Sequence, residues 1–145
     1  MKHSLLLLEV GDWSKDGHSQ SDVFYVKSNL DTSDLKKAYL IGAEKFGVDL
    51  INEYCINYED RAVPLDLAKS LRKLAKRLRT FKKLFKHDIK IAKLYNLNDV
   101  EVTEYEWVRA YLLICKLGNP NLEFKIVDRE DGPWIDVGGY GLYCS

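Results

Sequence analysis

An apolar seam in the middle of the chain predicts a long helix that needs a packing partner. Apolar residues recur there at alternating spacings of four and three, as at the a and d positions of a coiled coil: Leu67, Leu71, Leu74, Leu78, Phe81 and Phe85. Pro64 suits the first turn of such a helix. His87 and Asp88 can interrupt the pattern before a shorter helix that reaches about Asn96. A helix cannot bury its own stripe, so other elements must cover it.

The segments at both ends of the chain predict β-strands. Residues 3–10 form a short apolar run and residues 23–28 are β-branched and aromatic, which predicts an N-terminal β-hairpin with a long polar connection. Residues 122–127 alternate in polarity, and residues 134–137 follow an Asp-Gly-Pro turn signal, which predicts a C-terminal β-hairpin. Residues 142–144 fit a last short edge strand.

The remaining segments predict helices. An apolar face with spacings of three and four ends at Gly47, a natural helix stop, and consists of Leu35, Ala38, Tyr39, Gly42 and Phe46. Thr103 and Glu106 have the spacing of a capping box, which predicts a helix from there to Gly118. Residues 48–63 fit either a helix or irregular structure.

Grouped strands and grouped helices predict an α+β fold rather than an alternating α/β fold. We expect an N-terminal hairpin, three to four helices in the middle, a C-terminal hairpin, and one antiparallel sheet packed on the helices. The length of 145 residues and the 46% hydrophobic content suit a single domain over residues 1–145.

Charge is distributed very unevenly along this chain, although the formal net charge is zero. Residues 65–95 carry 11 basic and 2 acidic side chains, whereas the segments on either side are both net acidic. Basic residues three or four apart on a helix repel each other by about 0.2–0.5 kcal/mol per pair. An ordinary solvated helix would mix in glutamate, so the repulsion must be offset by packing, by carboxylates elsewhere in the fold, or by an external polyanion.

Three partners could neutralise this basic helix. The first is the protein itself, because Asp99, Glu101, Glu104 and Glu106 follow closely and could lie near the C-terminal end of the helix. The second is nucleic acid, contacted through its phosphates. The third is an acidic protein, for which the chain would act as an inhibitor or adaptor, with Trp13 and exposed tyrosines as further contacts. A membrane surface is disfavoured, because the narrow seam resembles a packing stripe.

The pattern therefore favours a small binding protein, rather than an enzyme, that contacts nucleic acid or a nucleoprotein. The predicted contact residues for nucleic acid or an anionic partner are Lys69, Arg72, Lys73, Lys76, Arg77, Arg79, Lys82, Lys83 and Lys86. Stacking on bases is not favoured, because Phe81 and Phe85 belong to the seam and Tyr95 is the one aromatic of this segment expected to be free. No cofactor is predicted.

A polar loop offers an alternative from a different class. Asp12, Asp16 and His18 could supply oxygen and nitrogen ligands to Mg²⁺ or Mn²⁺, as in a metal-dependent hydrolase. The spacing matches no EF-hand, and Asp, Ser and Gly are also the usual residues of a loop between strands. We therefore expect ordinary loop chemistry there and keep the metal site as the rival hypothesis.

The cysteines and the apolar runs suggest a cytoplasmic protein. Cys55, Cys115 and Cys144 are far apart and form no CxxC pair, which indicates reduced thiols rather than a zinc site or a disulfide framework. Cys115 falls on the apolar stripe of a helix and is expected in the core. No run approaches the length of a membrane span, and Leu5 to Leu8 is too short for a signal-peptide core.

Overall fold

The computed structural model describes residues 4–13, 19–56, 62–81, 83–127 and 140–144. In chain order its elements are β1 (Ser4–Trp13), β2 (Ser19–Ser28), α1 (Thr32–Phe46), α2 (Leu50–Ile56), β3 (Ala62–Pro64), α3 (Leu65–Arg77), α4 (Lys86–Leu94), β4 (Asp99–Glu101), α5 (Glu104–Gly118), β5 (Phe124–Val127) and β6 (Tyr140–Cys144). This grouping confirms the α+β class. The segment that was undecided from sequence contributes α2 and β3.

Four strands form the larger sheet, in the order β5-β2-β1-β6. The N-terminal hairpin is confirmed, because β1 and β2 pair antiparallel from Ser4 opposite Ser28 to Trp13 opposite Ser19. Strands β5 and β6 both join this sheet, as expected for the C-terminal strands. Strand β5 lies antiparallel to β2 at one edge, whereas β6 lies parallel to β1 at the other edge, so the sheet is mixed. The predicted strand 134–137 lies outside the described residues.

Helix α5 forms the centre of the core. Its residues from Trp107 to Cys115, apart from Arg109, are buried on all sides of the helix, which is typical of a helix surrounded by other elements. It contacts β2, β6, α1, α2 and α3. Its N-cap residue is Thr103, as predicted, but the Thr103 side chain makes no capping hydrogen bond.

Helices α1 and α5 cross at very close range, at two glycines. A β-carbon on Gly42 would lie 1.9 Å from the carbonyl oxygen of Ile114. A β-carbon on Gly118 would lie 1.8 Å from the carbonyl oxygen of Ala38. Only glycine therefore permits this approach of the two backbones. The predicted stop at Gly47 is also confirmed, with a left-handed φ of 86° and an N–H that bonds the carbonyl of Ala43.

The predicted long helix from Pro64 through Phe85 is broken, and this part of the prediction was wrong. Helix α3 ends at Arg77, and α4 begins only at Lys86. Three described non-glycine residues of the intervening turn have left-handed φ angles of 54–56°, namely Arg79, Phe81 and Phe85. The seam still packs inward, because Leu71, Leu74 and Phe85 are buried and Phe81 lies 5.5 Å from the ring of Phe124.

A Schellman motif explains why α3 stops. The N–H of Thr80 bonds the carbonyl of Ala75 at 2.9 Å, and the N–H of Arg79 bonds the carbonyl of Lys76 at 3.2 Å. These bonds satisfy carbonyls that would otherwise lack partners at the helix end. Glycine usually occupies the left-handed position of this motif, and here the residue is Arg79. The sequence therefore shows no stop signal, and the apolar periodicity continues past the true end.

A second, two-stranded sheet joins β3 to β4 and was not predicted. It pairs Ala62 with Glu101 and Pro64 with Asp99. Pro64 is also the N-cap residue of α3, which confirms its predicted place at the start of that helix. The small sheet therefore holds the segment 99–101 beside the N-terminal end of α3.

Candidate polyanion-binding surface

Helix α3 has one buried face and one charged face. Ala68, Leu71, Leu74 and Ala75 are buried, whereas Lys73, Lys76 and Arg77 are exposed. Past the helix end, further basic side chains are exposed in the turn and at the start of α4. We call the exposed set the basic surface, and its members are Lys73, Lys76, Arg77, Arg79, Lys83 and Lys86.

The remaining predicted contact residues differ from this set. Lys69 and Arg72 are only half exposed, and Lys82 lies outside the described residues. The guanidinium of Arg72 donates to the carbonyl of Leu84 at 3.4 Å, so it links α3 to the turn before α4. We therefore assign Arg72 a structural contact as well as a place at the margin of the basic surface.

The basic surface is not paired with carboxylates from the described part of the chain. None of its side chains has a carboxylate oxygen within 4.0 Å among those residues. Asp66, the acidic residue in the first turn of α3, lies at the other end of the helix. The positive charge therefore faces solvent rather than a set of described acidic partners.

Two of the four acidic residues expected at the C-terminal end of the basic helix, Asp99 and Glu101, lie elsewhere. Asp99 is opposite Pro64 in the small sheet, and Leu65 bonds the carbonyl of Asn98, so this segment lies at the N-terminal end of α3. Glu106 is bound by Arg109 at 3.0 Å. The predicted position of Asp99 and Glu101 was therefore wrong, because strand pairing, which the sequence did not indicate, directs them to the opposite end of the helix. Arg109 also lies 4.7 Å from the centre of the Phe81 ring, so Glu106 lies nearer to the turn that follows α3. The side chain of Glu104 lies outside the described residues.

The break between α3 and α4 reduces repulsion within the basic segment. A continuous helix would place ten pairs of basic residues three or four positions apart, whereas α3 alone contains five such pairs. At about 0.2–0.5 kcal/mol per pair, the repulsion within α3 costs about 1–2.5 kcal/mol. Packing of the buried face can offset a cost of that size, since one buried leucine contributes about 1.5–3 kcal/mol.

A groove beside α3 brings in a basic residue that the sequence analysis missed. The groove has a volume of about 340 Å³ and is lined by Lys45, Phe46, Ser70, Lys73, Leu74, Arg77 and Leu117. Lys45 belongs to the last turn of α1, far from the basic segment in sequence. No local pattern could have assigned it, because only the crossing of α1 over α5 brings it close to α3.

Helix dipoles do not cancel the charge of this groove. Residues at or next to the C-terminal ends of α1, α3 and α5 line it, and each helix end carries a negative charge of about half a unit. Lys45, Lys73 and Arg77 supply three full positive charges. The excess is positive by about one and a half units, so an anion is favoured there.

Two residues of the loop proposed as a metal site, Asp16 and His18, lie outside the described residues. Asp12 lies in β1, opposite Gln20, and the structure does not describe its side chain. Among the described residues, no three His, Cys, Asp or Glu side chains are grouped so as to hold a metal ion. The hydrolase hypothesis stays untested.

Cys115 is a core residue, as predicted. It is fully buried in α5, and its Sγ lies 3.8 Å from the carbonyl of Leu35. Burial raises the pKa of the Cys115 thiol well above its usual range, because the thiolate would be desolvated. This thiol is therefore protonated at neutral pH and packs as a small apolar side chain.

Comparison of the chain with protein families, with curated proteins and with solved structures finds no match. In the described part of the chain, none of the helices has the length and the apolar character that crossing a membrane requires.

Proposed function

We propose that the protein binds nucleic acid, alone or within a nucleoprotein, through its phosphates, and that the basic surface makes the contact. The observation that carries this proposal is the exposure of six basic side chains without a described carboxylate within 4.0 Å. A polyanion would recover the repulsion energy within α3 and release counterions on binding. The protein acts in this proposal as a binding protein in the cytoplasm, without catalysis.

Contact through the sugar-phosphate backbone is favoured over stacking on bases. Phe81 and Phe85 pack into the fold, and Arg109 lies 4.7 Å from the centre of the Phe81 ring. Tyr95 is exposed, as expected, but it lies past the end of α4 rather than on α3. Because α3 itself carries no aromatic residue and none of the described exposed aromatic residues lies on it, binding with little sequence preference is expected.

A salt-titrated mobility shift with duplex and single-stranded DNA and RNA tests this proposal. Lys73, Lys76, Arg77, Lys83 and Lys86 are the proposed centre of contact. If each neutralises one phosphate, the logarithm of the binding constant for duplex DNA falls with the logarithm of salt concentration with a slope of about −4 to −5. The double variant Lys73→Glu with Arg77→Glu is expected to make that slope less steep by about 2, because two phosphate contacts are lost.

The strand pair β2–β5 offers a matched control for this variant. Lys27 and Lys125 are exposed partners across the two strands, so the double variant Lys27→Glu with Lys125→Glu makes the same change in net charge elsewhere. It is expected to bind nearly as the unchanged protein does. No complex at about 50 mM salt, or an equal loss of affinity in both double variants, would contradict the proposed surface.

A further inference from the structure

A second surface, distinct from the basic one, combines an open groove with carboxylates. We call it the acidic groove. It has a volume of about 510 Å³ and lies between α4 and the segment that passes through β4 to the start of α5. Its carboxylates belong to Asp88, Asp99, Glu101 and Glu106. Glu106 is paired with Arg109, whereas the other three have no basic group within 4.0 Å among the described residues.

Apolar side chains are exposed in and beside the acidic groove. Ile91 and Leu97 line it, and their side chains are 37% and 48% exposed. Leu94 and Tyr95 follow on the same helix end and are 72% and 67% exposed. Four large apolar residues are therefore in water within seven positions of the chain. Single exposed apolar residues are ordinary, but a group of them beside a groove is typical of an interaction site.

The backbone holds these side chains in a defined arrangement. Helix α4 ends in a Schellman motif, with a left-handed Asn96 and a bond of 2.8 Å from the N–H of Leu97 to the carbonyl of Ala92. In β4, Val100 is buried while Asp99 and Glu101 are exposed, so the two carboxylates lie on one side of the strand. In the part of the chain that the structure describes, β4 pairs with β3 alone, which leaves it an edge strand.

We propose that the acidic groove binds an extended peptide segment of a partner protein, in which lysine or arginine residues flank an apolar residue. The carboxylates select the basic side chains by charge complementarity, and the exposed apolar residues accept the apolar one. An extended segment suits a groove that borders a short edge strand, because main-chain hydrogen bonds can then add to the contact.

The protein's own basic surface is a poorer occupant. All seven of the large apolar residues that are exposed in the described part of the chain lie outside α3: Leu40, Ile41, Ile91, Leu94, Tyr95, Leu97 and Tyr105. The basic surface of a second copy would therefore meet the carboxylates but offer no apolar side chain to the exposed leucines. The chemistry favours a separate segment that carries both features.

Fluorescence anisotropy with labelled synthetic peptides tests this inference. The probe is a short peptide in which lysine and leucine alternate, and the comparison peptides replace its lysines with glutamate or its leucines with serine. The lysine–leucine peptide is expected to bind at least about tenfold more tightly than either comparison. Two double variants are each expected to remove most of the preference for the lysine–leucine peptide. One is Asp99→Lys with Glu101→Lys, and the other is Leu94→Ser with Tyr95→Ser.

Matched controls make the same changes on other surfaces. Glu44→Lys with Glu123→Lys alters the charge equally, and Leu40→Ser with Ile41→Ser removes equivalent apolar area, all at exposed positions. Both controls should bind the peptide as the unchanged protein does. Equal binding of the lysine–leucine and lysine–serine peptides, or equal losses in variants and controls, would overturn the proposal. Sedimentation tests whether a second copy of the chain occupies the groove instead. If the unchanged protein self-associates and the double variant Asp99→Lys with Glu101→Lys does not, the proposal is overturned in favour of a second copy.

Discussion

Among the described residues, four that are not glycine hold the left-handed backbone conformation, and two of them end helices. Arg79 and Asn96 each occupy the position after a helix C-cap, with the same pair of backbone hydrogen bonds. Asparagine tolerates this conformation comparatively well, whereas an arginine there strains its β-carbon against the backbone. The end of α3 is therefore set by tertiary packing against the preference of its own residue.

Replacing Arg79 with glycine should stabilise the fold. The left-handed conformation costs a residue with a β-carbon about 1–2 kcal/mol, and glycine relieves this cost. Part of the stability gained is offset by the greater freedom of glycine in the unfolded chain. We expect Arg79→Gly to raise the free energy of unfolding by about 0.5–1 kcal/mol in urea denaturation. Arg79→Lys keeps the strain and should leave stability unchanged. A loss of stability in Arg79→Gly would argue against the left-handed turn.

Tyr39 connects α1 to the start of α2 through its hydroxyl group. That hydroxyl donates to Oδ1 of Asp49 at 2.7 Å and accepts from the N–H of Ile51 at 3.1 Å, while the ring lies 4.9 Å from that of Tyr111. Tyr39→Phe keeps the ring contact and removes both hydrogen bonds. We expect it to lower the free energy of unfolding by about 1–2 kcal/mol at neutral pH, measured by urea denaturation.

The same residue predicts a loss of stability at alkaline pH. Burial, with the hydrogen bond to Asp49, raises the pKa of Tyr39 well above its ordinary value of 10.0. The unfolded chain therefore loses this proton first, and the contribution of Tyr39 is complete below about pH 10 and declines as the pH rises further. Denaturation curves between about pH 8 and pH 11 should show a shallower decline for Tyr39→Phe. If the free energy of unfolding declined equally with pH in the unchanged protein and in Tyr39→Phe, the raised pKa of Tyr39 would not be the cause.

At the scale of elements, periodicity and capping residues predicted most helices and strands, but of the strand pairings only the N-terminal hairpin. Helix α1 and its stop at Gly47 followed from local spacing and the conformational freedom of glycine, and the N-terminal hairpin followed from its β-branched and aromatic residues. The end of α3 could not be predicted, because Arg79 gives no stop signal. The pairing of β3 with β4 and the approach of Lys45 to α3 are long-range contacts, which spacing within one segment does not contain.

Replacing a glycine at the crossing of α1 and α5 with a larger residue should destabilise the fold. Gly118→Ala would place a β-carbon against the carbonyl of Ala38, so the helices must move apart and the core around Ile114 must repack. Overpacking of this kind costs about 1–3 kcal/mol, and a clash with backbone belongs at the upper end. Thermal unfolding should show the loss.

Gly47→Ala is the comparison variant for the helix crossing. A β-carbon on Gly47 would meet nothing within 4 Å, but its φ of 86° is unfavourable for alanine. Its cost is therefore conformational alone, about 1 kcal/mol. If Gly118→Ala proved no more destabilising than Gly47→Ala, the close crossing would be wrong.

Over the whole molecule, α3 separates charge of opposite sign. Asp99 and its neighbours lie at its N-terminal end, and Lys76 and Arg77 lie at its C-terminal end. Its 13 residues span about 20 Å, more than the Debye length of about 8 Å at physiological ionic strength. The charges at the two ends of α3 are therefore screened from each other, although the two surfaces come closer at α4, where Asp88 of the acidic groove follows Lys86 of the basic surface by two residues.

This separation predicts how association with duplex DNA should depend on salt. Steering by the basic surface acts before contact, so the association rate constant should fall about tenfold or more between low and physiological ionic strength. In stopped-flow mixing, Lys73→Glu with Arg77→Glu should weaken this dependence, whereas Asp99→Lys with Glu101→Lys should leave it nearly intact. Equal effects of both double variants would mean that the DNA responds to total charge instead.

The parallel edge strand has a consequence for how the chain acquires its structure during synthesis. Residue 8 in β1 is paired with residue 140 in β6, so one edge of the larger sheet stays open until nearly all of the intervening polypeptide has left the ribosome. Contacts between such distant positions also slow folding, because the entropy of closing the loop is lost before the strand pairing contributes any stabilisation. The nascent chain therefore exposes the backbone amides and carbonyls along this edge of β1 until β6 has been synthesised.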